Sequence, residues 1–155
     1  MIAMIAFDTF SWGKLFELEK ELGMKLDFKK LPIFLTYELK EELDYFYSDK
    51  SEFFKQFPIL PTLKTTNFQL FKKMGFDETD VSLIEYAESK NAIIITEDHE
   101  MLSYGFLKGL SLLQVSDFII ILMRERILNK KETIKIIIRL RVWRNITKRK
   151  FYKNK

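Results

Sequence analysis

Along residues 1–118, short apolar runs alternate with longer stretches in which apolar positions recur every three or four residues. Ile2–Phe7 reads as a strand buried on both faces, and Asp8 stands at its exit. Phe10, Leu15, Phe16, Leu18 and Leu22 follow near helical spacing up to Gly23, a natural helix terminator. A second short strand is expected over Leu31–Leu35. Thr36 then offers an N-cap hydroxyl to a helix through Leu39, Leu43 and Phe46, with Glu38 in its first turn. Residues 48–75 carry the weakest pattern: Pro58 and Pro61 bracket Ile59 and Leu60, and a helix is expected over Asn67–Met74. Asp77 can cap the next helix, whose apolar stripe is Val81, Leu83, Ile84 and Ala87 and whose first turn holds Asp80. The strand Ala92–Ile95 delivers Thr96, Glu97 and Asp98, and a helix over His99–Leu107 and a strand over Leu110–Val115 complete the alternation.

Short apolar strands alternating with helices predict an α/β fold, in which a mostly parallel central sheet is covered on both sides by helices in three layers. Residues 1–118 make up that domain. Residues 119–155 form a helical extension packed on it, with Phe118–Leu128 and Thr133–Ile146 as two helices broken at Asn129 and a basic tail beyond. At 155 residues the chain is long enough to bury one continuous core.

Composition narrows the chemistry. The absence of cysteine removes disulfides, thiolate metal sites and cysteine nucleophiles together, and it suits a reducing, cytoplasmic setting. The most apolar run, Phe118–Met123, meets Arg124 far short of the roughly 20 residues of a membrane span. Residues 1–7 lack a basic flank and reach Asp8 too early for a signal peptide, so no targeting segment is expected. The net charge of +4 hides a division: nine of the 26 basic residues follow Glu132, all 22 acids lie up to it, and residues 1–132 carry −5. A basic tail on an acidic body suggests an anionic partner steered by the tail.

Ligands of a parallel α/β sheet bind beyond the carboxyl ends of its strands, and Asp8, Glu38, Asp80 and Asp98 all fall on such boundaries. One acid at a helix start is explained by capping and the helix dipole. Four on one edge repel one another and raise each other's pKa unless a cation is present. With a single histidine, His99, and no cysteine, the all-oxygen set suits Mg²⁺ or Mn²⁺ rather than zinc. Such ions support phosphodiester cleavage by water without a protein nucleophile. His99 follows Asp98 directly and reads as an exposed helix-start residue outside the catalytic set.

The stretches Ile5-Ala-Phe-Asp8-Thr9, Leu35-Thr-Tyr-Glu38-Leu39, Asp80-Val-Ser-Leu-Ile-Glu-Tyr-Ala87 and Ile95-Thr96-Glu97-Asp98 together resemble the PIN-domain nucleases, and most of all their small VapC-type members. The resemblance spans residues 1–118 and implies catalytic acids Asp8, Glu38, Asp80 and Asp98, with Asp8, Asp80 and Asp98 on the metal. It also implies a metal-dependent endoribonuclease, the toxin of a toxin–antitoxin pair, whose small antitoxin partner covers the acids. Two features depart from the family pattern. The Asp-Thr pair is followed by Phe10 where the family has a small polar residue. Glu41 and Glu42 share a helix face with Glu38 by spacing, so a shifted helix promotes Glu42. Thr9, Thr96, Glu97 and Glu42 are supporting residues, with the Thr96 hydroxyl orienting a ligand carboxylate and Glu97 either reaching the metal or pointing to solvent.

In the basic extension, Arg139, Arg141, Arg144, Lys148 and Arg149 can track an RNA backbone. Trp143, Phe151 and Tyr152 either stack on bases or, for Trp143, join the core. Homodimerisation, common in similar domains, is compatible with the many Phe and Ile residues. Two other readings compete with the nuclease. Aspartyl-phosphate chemistry, as in dehalogenase-like phosphatases and receiver domains, wants a second aspartate where Phe10 stands or a lysine after the last strand, where Ser116 and Asp117 stand. A catalytically inactive PIN-like module would use the basic end alone to bind RNA or to assemble.

Overall fold

The computed structural model describes residues 3–64 and 68–153, with side chains described up to residue 144. It is a mixed α/β chain in which helices dominate and the strands are short. Strand β1 (Ile5–Phe7) leads into α1 (Thr9–Leu22), and β2 (Leu35–Thr36) leads into α2 (Tyr37–Phe46). A short helix α3 (Ser51–Phe54), strand β3 (Ile59–Leu60), α4 (Phe68–Lys73) and α5 (Glu78–Lys90) follow. Then come β4 (Ile93–Ile95), α6 (His99–Lys108), β5 (Leu112–Leu113), α7 (Val115–Arg124) and α8 (Lys130–Lys153).

Every described pairing is parallel. β4 lies between β1 and β5, with Ile5, Ala6 and Phe7 beside Ile93, Ile94 and Ile95, and with Ile94 and Ile95 beside Leu112 and Leu113. β2 pairs with β3 in a second ladder, and one bridge between Ile5 and Ile33 ties the two ladders together. Read across that bridge, the strands run β3, β2, β1, β4, β5, so all five carboxyl ends share one edge. β1 and most of β4 are wholly buried, which explains their unbroken Ile, Ala and Phe composition.

The expected caps form. Gly23 ends α1 in the left-handed conformation with φ of 60°, the Thr36 hydroxyl accepts from the Leu39 amide, and Asp77 accepts from the Asp80 amide. α7 starts at Val115 rather than Phe118 because Gln114 and Asp117 close a capping box. That box also shortens the strand expected over Leu110–Val115 to Leu112–Leu113. Asn129 does not merely interrupt the helical extension. Its amide donates to Glu132, and its side chain accepts from the Glu132 amide, starting α8. Between Pro58 and Pro61 lies β3, a strand on the outer edge of its ladder, where prolines beside it forfeit no pairing.

The core beneath α1 is aromatic. Trp12, fully buried, lies 4.7 Å from Phe7, 5.3 Å from both Phe28 and Phe54, and 5.6 Å from Phe57 between ring centroids. From α7, Phe118 meets Phe7 edge-on at 4.6 Å, so the C-terminal helices share the core of the strands. Among the described residues no helix is long and apolar enough to cross a membrane.

Candidate acidic site at the carboxyl edge of the sheet

Parallel pairing of β1 with β4 determines what leaves the sheet together. The Asp8 amide donates to the Ile95 carbonyl at 3.0 Å, carrying the β1–β4 ladder one residue past the strands. Asp8 therefore emerges beside Thr96, and the Thr96 hydroxyl donates to Asp8 Oδ2 at 2.5 Å. Asp8 Oδ1 accepts from the Ser11 amide at 2.9 Å, so the same carboxylate caps α1. The Thr96 oxygen also accepts from the Asp98 amide at 3.0 Å, which holds the Asp98 backbone against the Asp8 side chain. Asp98 itself caps α6, accepting from the amides of Glu100 and Met101.

Glu42 ties in the remaining segments. Its two carboxylate oxygens are claimed by two threonines, Thr9 from α1 at 2.6 Å and Thr79 from α5. Each threonine adjoins an aspartate, Asp8 in one case and Asp80 in the other. One glutamate on α2 thus clasps the starts of two other helices. α2 and α5 are further locked by buried hydroxyls: Ser82 donates to the Thr79 carbonyl, so Thr36 must donate to Ser82, at 2.7 Å.

Electrostatics register this crowding. Burial, reinforced by the negative charges of Asp77, Asp8, Asp98 and Glu42, pushes the Asp80 carboxyl up to about 8. Burial also raises Asp8, opposed by the Thr96 hydroxyl and by the hydroxyl and amide of Ser11. The Ser11 hydroxyl, wholly buried, is near enough to act on Asp8 yet makes no full hydrogen bond.

Asp8, Asp80 and Asp98 are thus gathered, and the glutamate beside them is Glu42. Glu38 stands one turn earlier on α2 and accepts from the Thr62 hydroxyl at 2.7 and 2.8 Å, in a separate recess of about 360 Å³ with Lys64, Phe68, Gln69 and Glu78. Glu41 is exposed. Glu97 does not point freely to solvent: it accepts from the Val115 amide at 3.0 Å and pairs with Lys14 at 3.6 Å, securing the start of α7, while its charge is close enough to help raise Asp8. His99 is exposed in the first turn of α6. An apolar cavity of about 490 Å³, lined by Met4, Phe28, Pro32, Ile33, Phe57 and Pro58 among others, touches none of these acids.

Thr79 was not singled out in the sequence. The signal available was its place beside Asp80, mirroring Thr9 beside Asp8. Among the described residues no three acidic or histidine side chains converge closely enough to enclose an ion as they stand. The donors are nonetheless all carboxylate oxygen, and the mutual repulsion at Asp80 is of the kind a divalent cation relieves.

On α8, Arg139 pairs with Glu21 at 3.7 Å, close to the end of α1 away from Asp8 and separated from it by roughly 20 Å of helix rise. Arg141 and Arg144 are exposed, and Trp143 is half-buried against the core. The side chains of Lys148, Arg149, Phe151 and Tyr152 lie outside the described residues.

No protein-family model matches the chain, and no curated protein sequence matches it either.

Proposed function

We propose that the chain is a divalent-metal-dependent endoribonuclease with a PIN-like architecture, its two groups of helices covering the parallel sheet in three layers. The observation that carries this reading is the hydrogen-bonded thread through four separate segments, Asp98 to Thr96 to Asp8 on one side and Thr9 to Glu42 to Thr79 beside Asp80 on the other. Threads of this kind hold carboxylates where their charges alone would part them. Asp8, Asp80 and Asp98 would hold Mg²⁺ or Mn²⁺, with Glu42 in the role that the resemblance gives to Glu38. When bound, the ion supplies Lewis-acid stabilisation of the phosphodiester and a water of lowered pKa.

The chain's own residues perform the positioning. Thr96 takes up one lone pair of Asp8 Oδ2, and the Ser11 amide takes one from Oδ1, so the carboxylate is fixed in orientation. Glu42, with each oxygen accepting one hydroxyl, keeps a lone pair on each oxygen with which it could accept a proton from an incoming water. Asp80, held up by burial and by its acidic neighbours, is the carboxyl whose ionisation a bound cation would favour. The resemblance extends the proposal to a toxin held by a small antitoxin.

The test is cleavage of a mixed-sequence RNA by purified protein in Mn²⁺, beside Asp8→Asn and Asp98→Asn. Wild-type cleavage that both variants lose is the expected result. Equal cleavage by all three proteins, or none by any, would overturn the assignment.

A further inference from the structure

Three large aromatic side chains stand in water at the rim of the acidic site. Phe10 is 74% exposed, Tyr45 80% and Phe46 53%. They form a group: the Phe10 and Phe46 ring centroids are 6.2 Å apart, and those of Tyr45 and Phe46 are 5.0 Å apart and perpendicular. Phe10 follows Thr9, the residue that bonds Glu42, and Phe46 stands one helical turn beyond Glu42. The rings and the acids also share one support. The Tyr47 hydroxyl donates to the Thr9 carbonyl at 3.2 Å and sits over Gly13, where an added Cβ would come within 2.1 Å of it. Any residue larger than glycine at position 13 would displace the Tyr47 ring from the Thr9 carbonyl.

Three large rings exposed side by side, next to residues that bond the acids, call for an occupant. Acids repel the phosphates of a substrate, and the Arg139 contact places the cationic helix against the far end of α1. A nucleobase is uncharged and can be gripped through its face by aromatic rings whatever its sequence. In a duplex that face is covered by neighbouring bases; in a single strand it is open. A protein partner covering the same rings is the competing occupant, and it would show itself in the oligomeric mass rather than in RNA affinity.

We infer that Phe10, Phe46 and Tyr45 form a stacking platform for an unpaired nucleobase flanking the bond to be cut. This rests on the nuclease reading for the identity of the polymer, and the experiment separates the two. Binding is measured in an Asp98→Asn background with a single-stranded RNA carrying 2-aminopurine, and with its duplex. Phe10→Leu and Phe46→Leu keep apolar bulk but remove the π face, and Phe10→Trp restores it.

The expected result is roughly tenfold weaker single-strand binding for each leucine variant with loss of 2-aminopurine quenching, and recovery in Phe10→Trp. An abasic scan of the oligonucleotide against the Asp98→Asn protein with its rings intact gives the same answer without touching the protein: one or two positions should account for a similar loss. Unchanged affinity in the leucine variants, no sensitive abasic position, or duplex bound as tightly as single strand overturns the platform. So does a leucine variant that changes the oligomeric mass while RNA affinity stays constant, which assigns the rings to a protein interface. Ring-dependent binding by a protein that never cleaves in Mn²⁺ leaves the platform standing and removes the nuclease. Cleavage with unchanged KM in the leucine variants does the reverse.

Discussion

The two ends of α1 meet opposite parts of the charge distribution. At its start, Asp8 caps the helix among Asp80, Asp98 and Glu42, and an aromatic group stands on the rim. Near its end, Glu21 is met by Arg139 of a helix that carries arginine and lysine and no acid after Glu132. The far pair is an exposed ion pair at 3.7 Å, of a kind worth little to stability. The near group is partly buried, of one sign, and maintained by hydroxyls against its own repulsion. A protein keeps like charges together where something else is to be bound. On the proposed reading, the chemistry belongs to the start of α1, and the far end would attract the polymer at longer range.

The largest expected effect tests the near end directly. Asp8→Asn or Asp98→Asn should lower Mn²⁺-dependent RNA cleavage by at least roughly a hundredfold, the scale of several kcal/mol of transition-state stabilisation. Gel-resolved initial rates measure it. The next effect separates two glutamates one turn apart: Glu42→Gln should reduce the rate by roughly 10- to 100-fold, while Glu38→Gln stays within about twofold. Equal losses in the two variants would return Glu38 to the acid set.

A smaller effect concerns stability and pH. Asp80 has a folded pKa of about 8 against 3.8 in the open chain, so the native state binds the extra proton between those values. In ion-free protein, stability falls as pH rises from about 4 through about 8, since ionisation is opposed only in the folded state. Asp80→Asn should therefore raise the melting temperature at pH 8.5 by roughly 2–4 °C and change it little at pH 4. Mn²⁺ should raise the wild-type value at pH 8.5 more than that of the variant. The smallest effect belongs to the far end: Arg141→Ala with Arg144→Ala should reduce the salt dependence of RNA affinity by up to about two charges, leaving the cleavage rate at saturating RNA unchanged.

Much of this arrangement was legible in the residues. Thr36, Gly23 and Asp77 marked helix boundaries because capping is local chemistry, and Asp8 and Asp98 could be placed because each leaves a short apolar strand. The choice between Glu38 and Glu42 could not be made, since both project from one face of α2. What decides it is the seating of that helix, governed by Tyr47 on the Thr9 carbonyl and by Thr36 on Ser82, contacts 38 and 46 residues apart in sequence. β3 carries no sequence signal, because two residues between prolines have no periodicity and only the partner β2 identifies them as a strand. The start of α7 moved because a capping box outweighed an apolar run as a boundary marker.

The hydrogen bond from Thr96 to Asp8 joins residues 88 apart, and this has a consequence for the life of the chain. During synthesis the first aspartate emerges early and waits, solvated and separate, until β4 has been made and has paired with β1. The thread from Asp98 through Thr96 to Asp8 cannot form in a nascent or clipped chain that stops short of residue 96. A fragment ending at Lys90 is accordingly expected to show no Mn²⁺-dependent cleavage, and adding back residues 91–155 as a separate peptide tests whether completing the sheet restores it. If the chain is the proposed nuclease, its activity is timed by topology and waits on the pairing of β4 with β1.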